Sequence, residues 1–496
     1  MEETINMGIL SLIPIIITIL LSIKTKNVLL SLAVGVFSGV LLYVGGNPVK
    51  ATTTMVSELL FLQLQDSYNA GVIILLVFIG GFVSLIEESG GAGGFAKMLA
   101  KKVNTAAKAQ IAAWVAGIAV FFSELGTPLI VGPIFSPLFK KLGVSKEKLA
   151  WILDTTGSPV CILIPFIGWG VYSMGLIQKE FELLNITGIT DFQAFIQAIP
   201  FQFYAIFCLI LVPTMVITKK EIGPMKKAEE EAEKEVYEIE EGKEDIKETN
   251  PLVVLIPLLI LFVTLFSLLI PHGFPFKKVP GSLFRVALIT AYFYGSIAII
   301  LLMAYYKVFS IKESIPIYIK GLSKMTNTIM ILVLAWSLGA VGKSIGTAEY
   351  IIGLAKGNVA PSFVPALIFL IGATISFSTG TSWGTFAIMM PIALPMAARL
   401  DASMIVTIAA VLSGGLFGDH CSPISDTTIL SSAGAGCETY DHVKTQIPYA
   451  LIAGVISFIA YIVAGIMPLS WMVVAFSAIL VISILVMTKV FGERVH

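Results

Sequence analysis

Two aspartates stand just before Ser-Pro pairs in stretches that are otherwise strongly apolar. The sequence GDHCSPISDTTILSS covers residues 418–432, and the shorter DTTGSPVCILIP covers residues 154–165. A carboxylate in apolar surroundings is costly unless it has a partner, so an aspartate inside a membrane segment is by default a candidate functional residue. Because the pattern occurs once in each half of the chain, it predicts a secondary transporter built from repeats.

The Ser-Pro pairs predict that two membrane helices are interrupted. Proline removes a backbone donor and clashes with the preceding turn, and an interruption leaves free N–H groups at one new helix end and free carbonyls at the other. Together with hydroxyl and carboxylate oxygens, these carbonyls form a hard oxygen cage that suits Na⁺. For each hydroxyl taken singly, a bond back to its own helix is an equal alternative. The candidates are Asp154, Thr155, Thr156, Ser158, Asp419, Ser422, Ser425, Asp426, Thr427 and Thr428. Within this set, we predict that Na⁺ is held by Asp419, Ser422 and Asp426.

Two other apolar stretches are broken by small polar residues and predict the tips of re-entrant hairpins. The breaks read SELGTP at residues 123–128 and SFSTGTS at residues 376–382. A proton-linked carrier needs a carboxylate that titrates as its exposure changes, so Glu124 and Asp154 are the predicted proton-coupling residues. The alternative is that Glu124 pairs with a lysine and only holds its hairpin. The other candidate binding residues at the tips are Ser123, Thr127, Ser378, Gly380 and Thr381, and Gly126 should allow the first tight turn.

Three further residues have competing interpretations. His420, inside the longer motif, is either a proton relay or a hydrogen-bonded structural residue. Trp169 and Trp383 either line a pocket or only pack against neighbouring helices.

The composition is that of a membrane protein. Of 496 residues, 56% are hydrophobic and 13% charged, with a mean hydropathy of +0.92, whereas soluble domains are about 25% charged. The segment 219–248 alone carries 19 of the 64 charged side chains, and we expect a solvated connector there, with a regulatory role as the alternative. The net charge is zero, which gives no indication of nucleic-acid binding. The four cysteines show no paired spacing, and without a P-loop, zinc spacing or nucleophile elbow we expect neither an enzyme nor an organic cofactor.

Apolar segments of about 20 residues predict the membrane spans. The predicted spans lie near 8–23, 28–44, 70–89, 149–172, 196–218, 251–271, 283–305, 327–345, 403–433, 446–467 and 470–490. Two re-entrant hairpins, each with flanks too short to cross, are predicted at 110–139 and 361–398.

Short matches between the halves predict an internal duplication. At nearly constant separation, Phe122-Ser123 recurs as Phe377-Ser378, Pro133-Ile134 as Pro391-Ile392, and Ser158-Pro159 as Ser422-Pro423. The predicted fold is an all-α polytopic membrane protein with two inverted repeats of about five spans, re-entrant hairpins, broken helices and an extra C-terminal span. The predicted units are a first repeat at 1–218, a charged cytoplasmic linker at 219–250, an inverted second repeat at 251–467, and a C-terminal helix and tail at 468–496.

Basic loops predict the orientation. The lysines near 24, 97–108 and 140–148 should be cytoplasmic, as should the linker and the C-terminus, whereas the acidic loop at 178–191 should lie outside. Lys277, Lys278 and Arg399 fall on the outside and disagree with the rule.

The long motif, followed by Asp441-His442-Val443 and Gln446-Ile447-Pro448-Tyr449, resembles the signature of the NhaC-type sodium/proton antiporter family, and LDTTGSPVCILIPF at 153–166 resembles a second hallmark of that family. The resemblance implies inverted repeats with hairpins and a sodium-coupled secondary transporter of the bacterial inner membrane. Na⁺/H⁺ antiport is the leading expectation, and Na⁺-coupled transport of an amino acid or small carboxylate is the alternative. A channel or a membrane receptor is disfavoured by the duplicated breaks. The expected partners are Na⁺, H⁺, the lipid bilayer and, for the alternative, a small organic solute; a homodimer is left open.

Overall fold

The computed structural model describes residues 5–25, 27–101, 103–234, 249–274, 279–347, 350, 353 and 359–494. Throughout these residues the regular structure is helical, apart from two short antiparallel strands, β1 (Lys220–Glu221) and β2 (Glu493–Arg494). The predicted all-α class is confirmed.

The helices follow one another in a similar order in the two halves. Those before the linker are α1 (Ile13–Thr25), α2 (Val28–Tyr43), α3 (Pro48–Thr54), α4 (Phe61–Gln65), α5 (Ser67–Glu88), α6 (Gly91–Ala100), α7 (Ala106–Ala119), α8 (Gly132–Lys141), α9 (Lys146–Thr156), α10 (Ser158–Cys161), α11 (Gly168–Leu183), α12 (Asp191–Ala198) and α13 (Phe203–Thr218). The linker contains α14 (Gly223–Lys234). The later helices are α15 (Leu252–Leu269), α16 (Gly281–Tyr305), α17 (Ile311–Lys324), α18 (Thr326–Ser344), α19 (Val364–Thr379), α20 (Ser382–Arg399), α21 (Met404–Cys421), α22 (Asp426–Ala435), α23 (Thr439–Ile466) and α24 (Met472–Val490).

Within the part of the chain that the structure describes, nine helices are long and apolar enough to cross a membrane, and up to eleven spans result if two bent pairs each count as one. Most of them coincide with predicted spans. One prediction is wrong in length: Pro361–Thr379, expected as a hairpin flank too short to cross, is a 19-residue apolar helix that satisfies the same criterion. The corresponding flank of the first hairpin, Ala106–Ala119, is the shorter of the two.

Each half also contains a connecting helix that the span pattern does not predict. Pro48–Gln65 follows α2 at a bend of 114°, and α17 follows α16. The start of α17 is fixed by a capping box, in which the Ser310 hydroxyl accepts from the Glu313 N–H and the Glu313 carboxylate accepts from the Ser310 N–H. Both halves therefore run span, span, connecting helix, span, hairpin, broken helix, span. This order supports the predicted duplication, whereas the unit boundaries and the inverted relation of the halves stay predictions.

Both Ser-Pro pairs interrupt a helix as predicted. The helix α9 ends at Thr156, and Pro159 lies at the start of α10. In the second half α21 ends at Cys421, and α22 begins only at Asp426, after a non-helical segment that contains Pro423. Proline favours a break at both positions, because it lacks a backbone N–H donor and is best accommodated outside a helix or in its first turn.

The two hairpins pack closely against the second broken helix. A Cβ on Gly132 in the first hairpin would lie 2.6 Å from the backbone of Gly434 in α22. A Cβ on Gly418 in α21 would lie 2.1 Å from the carbonyl oxygen of Ala373 in the second hairpin. Gly380 turns the second tip at φ +66°, a conformation that favours glycine. Gly126 has an ordinary φ of −64°, so the first tip does not need a left-handed glycine.

The linker differs from the solvated connector that its charge predicts. Glu221 and Glu229 are buried, at 5% and 1% exposure, and Glu229 accepts hydrogen bonds from the backbone N–H and the hydroxyl of Ser145, which caps α9. The strand β1 pairs with β2 at the end of the chain, so the linker and the C-terminal segment are joined. Residues 235–248 of the linker lie outside the described residues.

Candidate functional site

Glu124 at the first hairpin tip bonds to both the first break and the second hairpin. The Ser158 hydroxyl donates to its Oε2 at 3.2 Å, and the Trp383 indole donates to its Oε1 at 3.2 Å. Trp383 lies one residue into α20 and packs against Trp169 and Tyr172 at ring-centroid distances of 5.2 and 4.7 Å. The structure therefore pairs Glu124 with neutral donors, and not with the lysine of the alternative interpretation.

Asp419 lies in the last turn of α21 and faces the second hairpin. Its Oδ2 accepts a hydrogen bond from the Ser382 hydroxyl at 2.7 Å. Its side chain is buried, and its Oδ1 has no hydrogen-bond partner among the described residues. A buried carboxylate oxygen of this kind costs free energy unless a cation or a proton neutralises it.

Asp154 has the most bonded carboxylate of the site. Its Oδ2 accepts from Gln446 Nε2 at 2.7 Å, from the Thr428 hydroxyl at 3.3 Å and from His442 Nε2 at 3.4 Å. Its Oδ1 lies 4.0 Å from His420 Nε2 and, within the described chain, has no hydrogen-bond partner. Asp154 is thus held through one oxygen, and the other is left for a cation or proton.

His420 connects the two breaks through hydrogen bonds on both ring nitrogens. Its Nε2 lies 3.0 Å from the Asp154 carbonyl oxygen, which can only accept, so Nε2 carries a hydrogen. In the neutral ring Nδ1 then accepts from the Tyr204 hydroxyl at 3.3 Å. Gln446 adds a second connection, because its Nε2 also donates to the His420 carbonyl oxygen at 2.6 Å. The contacts favour the structural interpretation of His420 over the proton relay.

Two of the three carboxylates of the site, Asp154 and Asp419, are buried, and the third, Glu124, is partly exposed. Asp419 interacts electrostatically with Glu124 on one side and with Asp154 on the other. Asp154 and Asp419 also occupy equivalent positions, each the third residue from the end of its half-helix. The carbonyl end of a helix carries partial negative charge, which adds to that of the carboxylates. The arrangement favours cations or protons as occupants.

The remaining predicted residues fall into two groups. Ser158 donates to Glu124 and Thr428 donates to Asp154, so both lie at the carboxylates, whereas Ser425 pairs with the Thr427 hydroxyl. The other hydroxyls have partners away from the carboxylates of the site. Thr155, Thr156 and Ser378 donate to carbonyls of their own helices. Thr381 caps α20, Thr427 contacts Ser425, Ser422 accepts from the N–H of Ile424, and Ser123 donates to Glu87. Thr127 is fully buried, with a long contact of 3.5 Å to the Gly117 carbonyl oxygen. Gly380 contributes its backbone turn, packed on the second break.

Of the three predicted Na⁺ ligands, only Asp419 combines burial with a free oxygen. The hydroxyl of Ser422 is engaged within its own turn, and Asp426 is exposed at the first position of α22. Asp426 still acts on Glu124 electrostatically. The geometry therefore separates the two aspartates of the long motif into a buried ligand candidate and an exposed charge.

The structure also adds residues that the sequence analysis does not place in the site. His442 and Gln446 reach Asp154 from α23, and Ser382 reaches Asp419 from α20. One signal was present: His442, Gln446 and Tyr449 recur at intervals of four and three residues, the spacing of one helix face. All three are buried, which is unusual for polar residues without partners.

Comparison with known proteins gives the family. Residues 160–466 match the Na⁺/H⁺ antiporter family. An uncharacterized protein of Haemophilus influenzae is 33% identical over 92% of this chain and 90% of its own length. An uncharacterized Na⁺/H⁺ antiporter of the same organism is 31% identical over 29% of this chain and 31% of its own length, and the arginine/ornithine antiporter ArcD of Halobacterium salinarum is 32% identical over 28% and 29%. For these two antiporters, the match spans less than a third of the relative.

The fold is shared with a solved transporter. The YdaH transporter of Alcanivorax borkumensis, whose crystal structure has an unusual topology, aligns with a TM-score of 0.60 at 15% identity over 82% of this chain and 88% of its own. Together with the apolar helices and the antiporter relatives, the family match identifies a multi-pass membrane protein that acts as a secondary transporter. The chain belongs to the Na⁺/H⁺ antiporter family.

Proposed function

We propose that the protein exchanges Na⁺ for H⁺ across the bacterial inner membrane by alternating access at the site formed by the two breaks and the two hairpin tips. One observation carries the proposal: Asp154 and Asp419 are buried at equivalent ends of the two half-helices, and each has one carboxylate oxygen without a partner in the described structure.

These oxygens favour a small cation over an organic anion. Both carboxylates lie at the carbonyl ends of their half-helices, where the helix dipole attracts positive charge. The Ser382 hydroxyl bonds to Asp419, and a hydroxyl oxygen can coordinate Na⁺ with its free lone pairs while it donates to the carboxylate. Asp419 is the primary Na⁺ ligand of this proposal, and Asp154 is the second carboxylate.

Exchange requires that Na⁺ and H⁺ exclude each other. Either occupant neutralises a buried carboxylate, and an empty, doubly charged site is costly in a low-dielectric interior. The half-helices can then reorient with one occupant or the other, but not empty, which couples the two flows. Glu124 is the proton-binding residue of this proposal. It joins the tip of the first hairpin to Trp383 of the second, and the charge of Asp419 repels its own.

The contacts at the ends of the helices support the predicted sidedness. The linker, the start of α9 and the C-terminal strand meet at one end through the Lys148–Glu221 pair and the β1–β2 pairing. These are the segments expected in the cytoplasm. At the starts of α5, α12 and α16, expected outside, Tyr68 donates to Asp191 and its ring lies beneath the Arg285 guanidinium.

A second candidate is Na⁺-coupled transport of an amino acid or small carboxylate. It is favoured by the Trp169 indole N–H, which is buried beside Trp383 and has no partner among the described residues. Such a donor could bind a substrate carboxylate, while Glu124 binds its ammonium group. The arginine/ornithine relative is consistent with this alternative.

Reconstitution in liposomes with an internal pH dye distinguishes the two candidates. For an antiporter, an imposed Na⁺ gradient should drive a pH change with no organic solute present, and K⁺ at the same concentration should not. A pH change that begins only after an amino acid or organic acid is added would reject Na⁺/H⁺ antiport in favour of the second candidate.

A further inference from the structure

Glu221 of the linker bridges two helices of the transport site. Its Oε1 accepts from Lys148 Nζ of α9 at 2.5 Å, and its Oε2 accepts from the Tyr449 hydroxyl of α23 at 2.5 Å. All three side chains are buried, with Lys148 and Tyr449 at 0% exposure and Glu221 at 5%. The Lys148 ammonium also lies 4.5 Å from the ring centre of Trp151, which packs on Tyr449 at 4.8 Å.

Stability alone is a weak explanation for this triad. Removing two charges from water costs several kcal/mol per ion, and a buried pair recovers that cost only with good geometry and further hydrogen bonds. Apolar residues of similar size are often as stable. A buried ionic contact does, however, restrict the two elements it joins to one relative arrangement, in the same way that a buried polar residue fixes the register of paired helices.

The same two helices supply Asp154 and its partners. Asp154 lies on α9, six residues after Lys148, while Gln446 and His442 lie on α23, one and two turns before Tyr449. The hydrogen bond between Asp154 and Gln446 is 2.7 Å long, so a small displacement between α9 and α23 breaks it. The Glu221 bridge therefore joins the same two helices whose relative position sets the bonds of Asp154.

We propose that Glu221 is a positioning residue of the transport site, which holds α9 against α23 through Lys148 and Tyr449 so that Asp154 keeps its bonds to Gln446 and His442. The charged linker is then part of the transport machinery. The proposal rests on the proposed function insofar as Asp154 belongs to the Na⁺ and proton site.

The test compares three variants of the full-length protein in proteoliposomes. Tyr449→Phe keeps the ring that packs on Trp151 and removes only the bond from α23, and Glu221→Gln removes the charge that pairs with Lys148. The matched control is Glu229→Gln, because Glu229 is also a buried linker carboxylate but bonds to Ser145 at the start of α9. Tyr449→Phe and Glu221→Gln should raise the Na⁺ concentration for half-maximal transport about tenfold or more, the usual effect of losing a group that orients a ligand. The maximal rate should fall by less, and Glu229→Gln should stay within about twofold of the wild-type protein in half-saturation.

A distance measurement tests the relative position of α9 and α23 independently of transport activity. Spin labels replace Lys146 on α9 and Lys444 on α23, two exposed lysines that line one cavity of about 650 Å³, in a background with the native cysteines replaced. The distance distribution should broaden or shift in Tyr449→Phe and Glu221→Gln, and should remain narrow in Glu229→Gln.

The outcomes distinguish failure of the positioning role of Glu221 from failure of the proposed Na⁺/H⁺ exchange. If both test variants keep the distance distribution and half-saturation of the wild-type protein and lose only thermal stability, the positioning role is rejected. If Glu221→Gln does not fold, Tyr449→Phe alone decides. If the wild-type protein shows no Na⁺-dependent transport, the proposed function fails, and the spin-label distances still decide whether Glu221 positions α9.

Discussion

Trp383 of the second hairpin donates a hydrogen bond of 3.2 Å to Glu124 of the first. The two residues are 259 positions apart and come from different halves of the chain. The second hairpin thereby contacts the carboxylate that lies opposite the first break. A change in the charge of Glu124 therefore alters the electrostatic environment of both hairpins.

Replacement of Glu124 by Gln should flatten the pH dependence of Na⁺-driven proton transport. The amide oxygen can still accept from Trp383 while the amide nitrogen donates to the Ser158 hydroxyl, but the side chain cannot titrate. Proton flux is measured in proteoliposomes over a range of pH at a fixed Na⁺ gradient. Trp383→Phe is the companion variant, since it keeps an aromatic ring and removes the donor, and it should alter the profile less. A full pH dependence in Glu124→Gln would exclude Glu124 from proton coupling.

The two aspartates of the long motif should behave differently. Asp419→Asn removes a buried charge with a free oxygen and should lower Na⁺-driven transport roughly a hundredfold, about the effect of one strong charge-assisted interaction. Asp426→Asn changes an exposed side chain and should lower it only a few-fold. Transport rates at equal protein content provide the measurement. Equal losses in the two variants would favour the sequence-based prediction that both hold Na⁺.

Two serines of the second hairpin form a matched pair. Ser382 donates to Asp419, whereas Ser378 donates to the carbonyl oxygen of Thr374 in its own helix. Ser382→Ala should therefore raise the Na⁺ concentration for half-maximal transport by about a factor of ten, while Ser378→Ala should leave it unchanged. A larger effect from Ser378→Ala would place the ion on the other face of this hairpin.

Gly380→Ala should destabilise the protein. A Cβ at this position would lie 2.7 Å from the Ile424 carbonyl oxygen, and the φ of +66° is unfavourable for alanine. We expect a cost of about 1–3 kcal/mol, seen as a lower melting temperature in detergent. Gly188→Ala is the control, because its Cβ would meet open space; equal melting temperatures for the two variants would contradict the left-handed turn at the hairpin tip.

Cysteine labelling tests the sidedness. Lys24→Cys and Lys146→Cys should react with an impermeant maleimide from the cytoplasmic side, and Glu182→Cys from the outside; all three side chains are exposed. The background needs Cys437→Ser, because Cys437 is only partly buried. Reaction of all three from one side would rule out the inverted arrangement.

The sequence predicts the breaks and the tips well because their causes are local. Proline removes a backbone donor, so Pro159 and Pro423 are candidate break sites without any tertiary information. Proline alone does not decide the matter, because others, such as Pro257, lie inside continuous helices. The hydrogen-bond partner of a hydroxyl, by contrast, depends on tertiary packing. Thr155 and Ser158 are equally plausible ligands in sequence, yet the former bonds back to Trp151 and only the latter reaches Glu124.

The partners of Asp154 and the docking of the linker depend on long-range packing. Gln446 lies 292 positions from Asp154, and its spacing with His442 and Tyr449 indicates one polar face without saying what that face meets. Glu221 and Glu229 look like any other acidic residue in a charged run. Only the fold distinguishes them, because it buries these two against the start of α9.

The pairing of β1 with β2 also sets an order for biosynthesis. The ribosome completes β1 long before β2, because residues 222–492 are translated between the two strands. Lys220 must likewise wait for α24, whose Thr488 carbonyl oxygen accepts its ammonium hydrogen bond at 3.2 Å. The junction between the two halves therefore cannot assume its final structure until the second half and α24 have been translated. A nascent chain released early would carry an unpaired strand that includes Glu221.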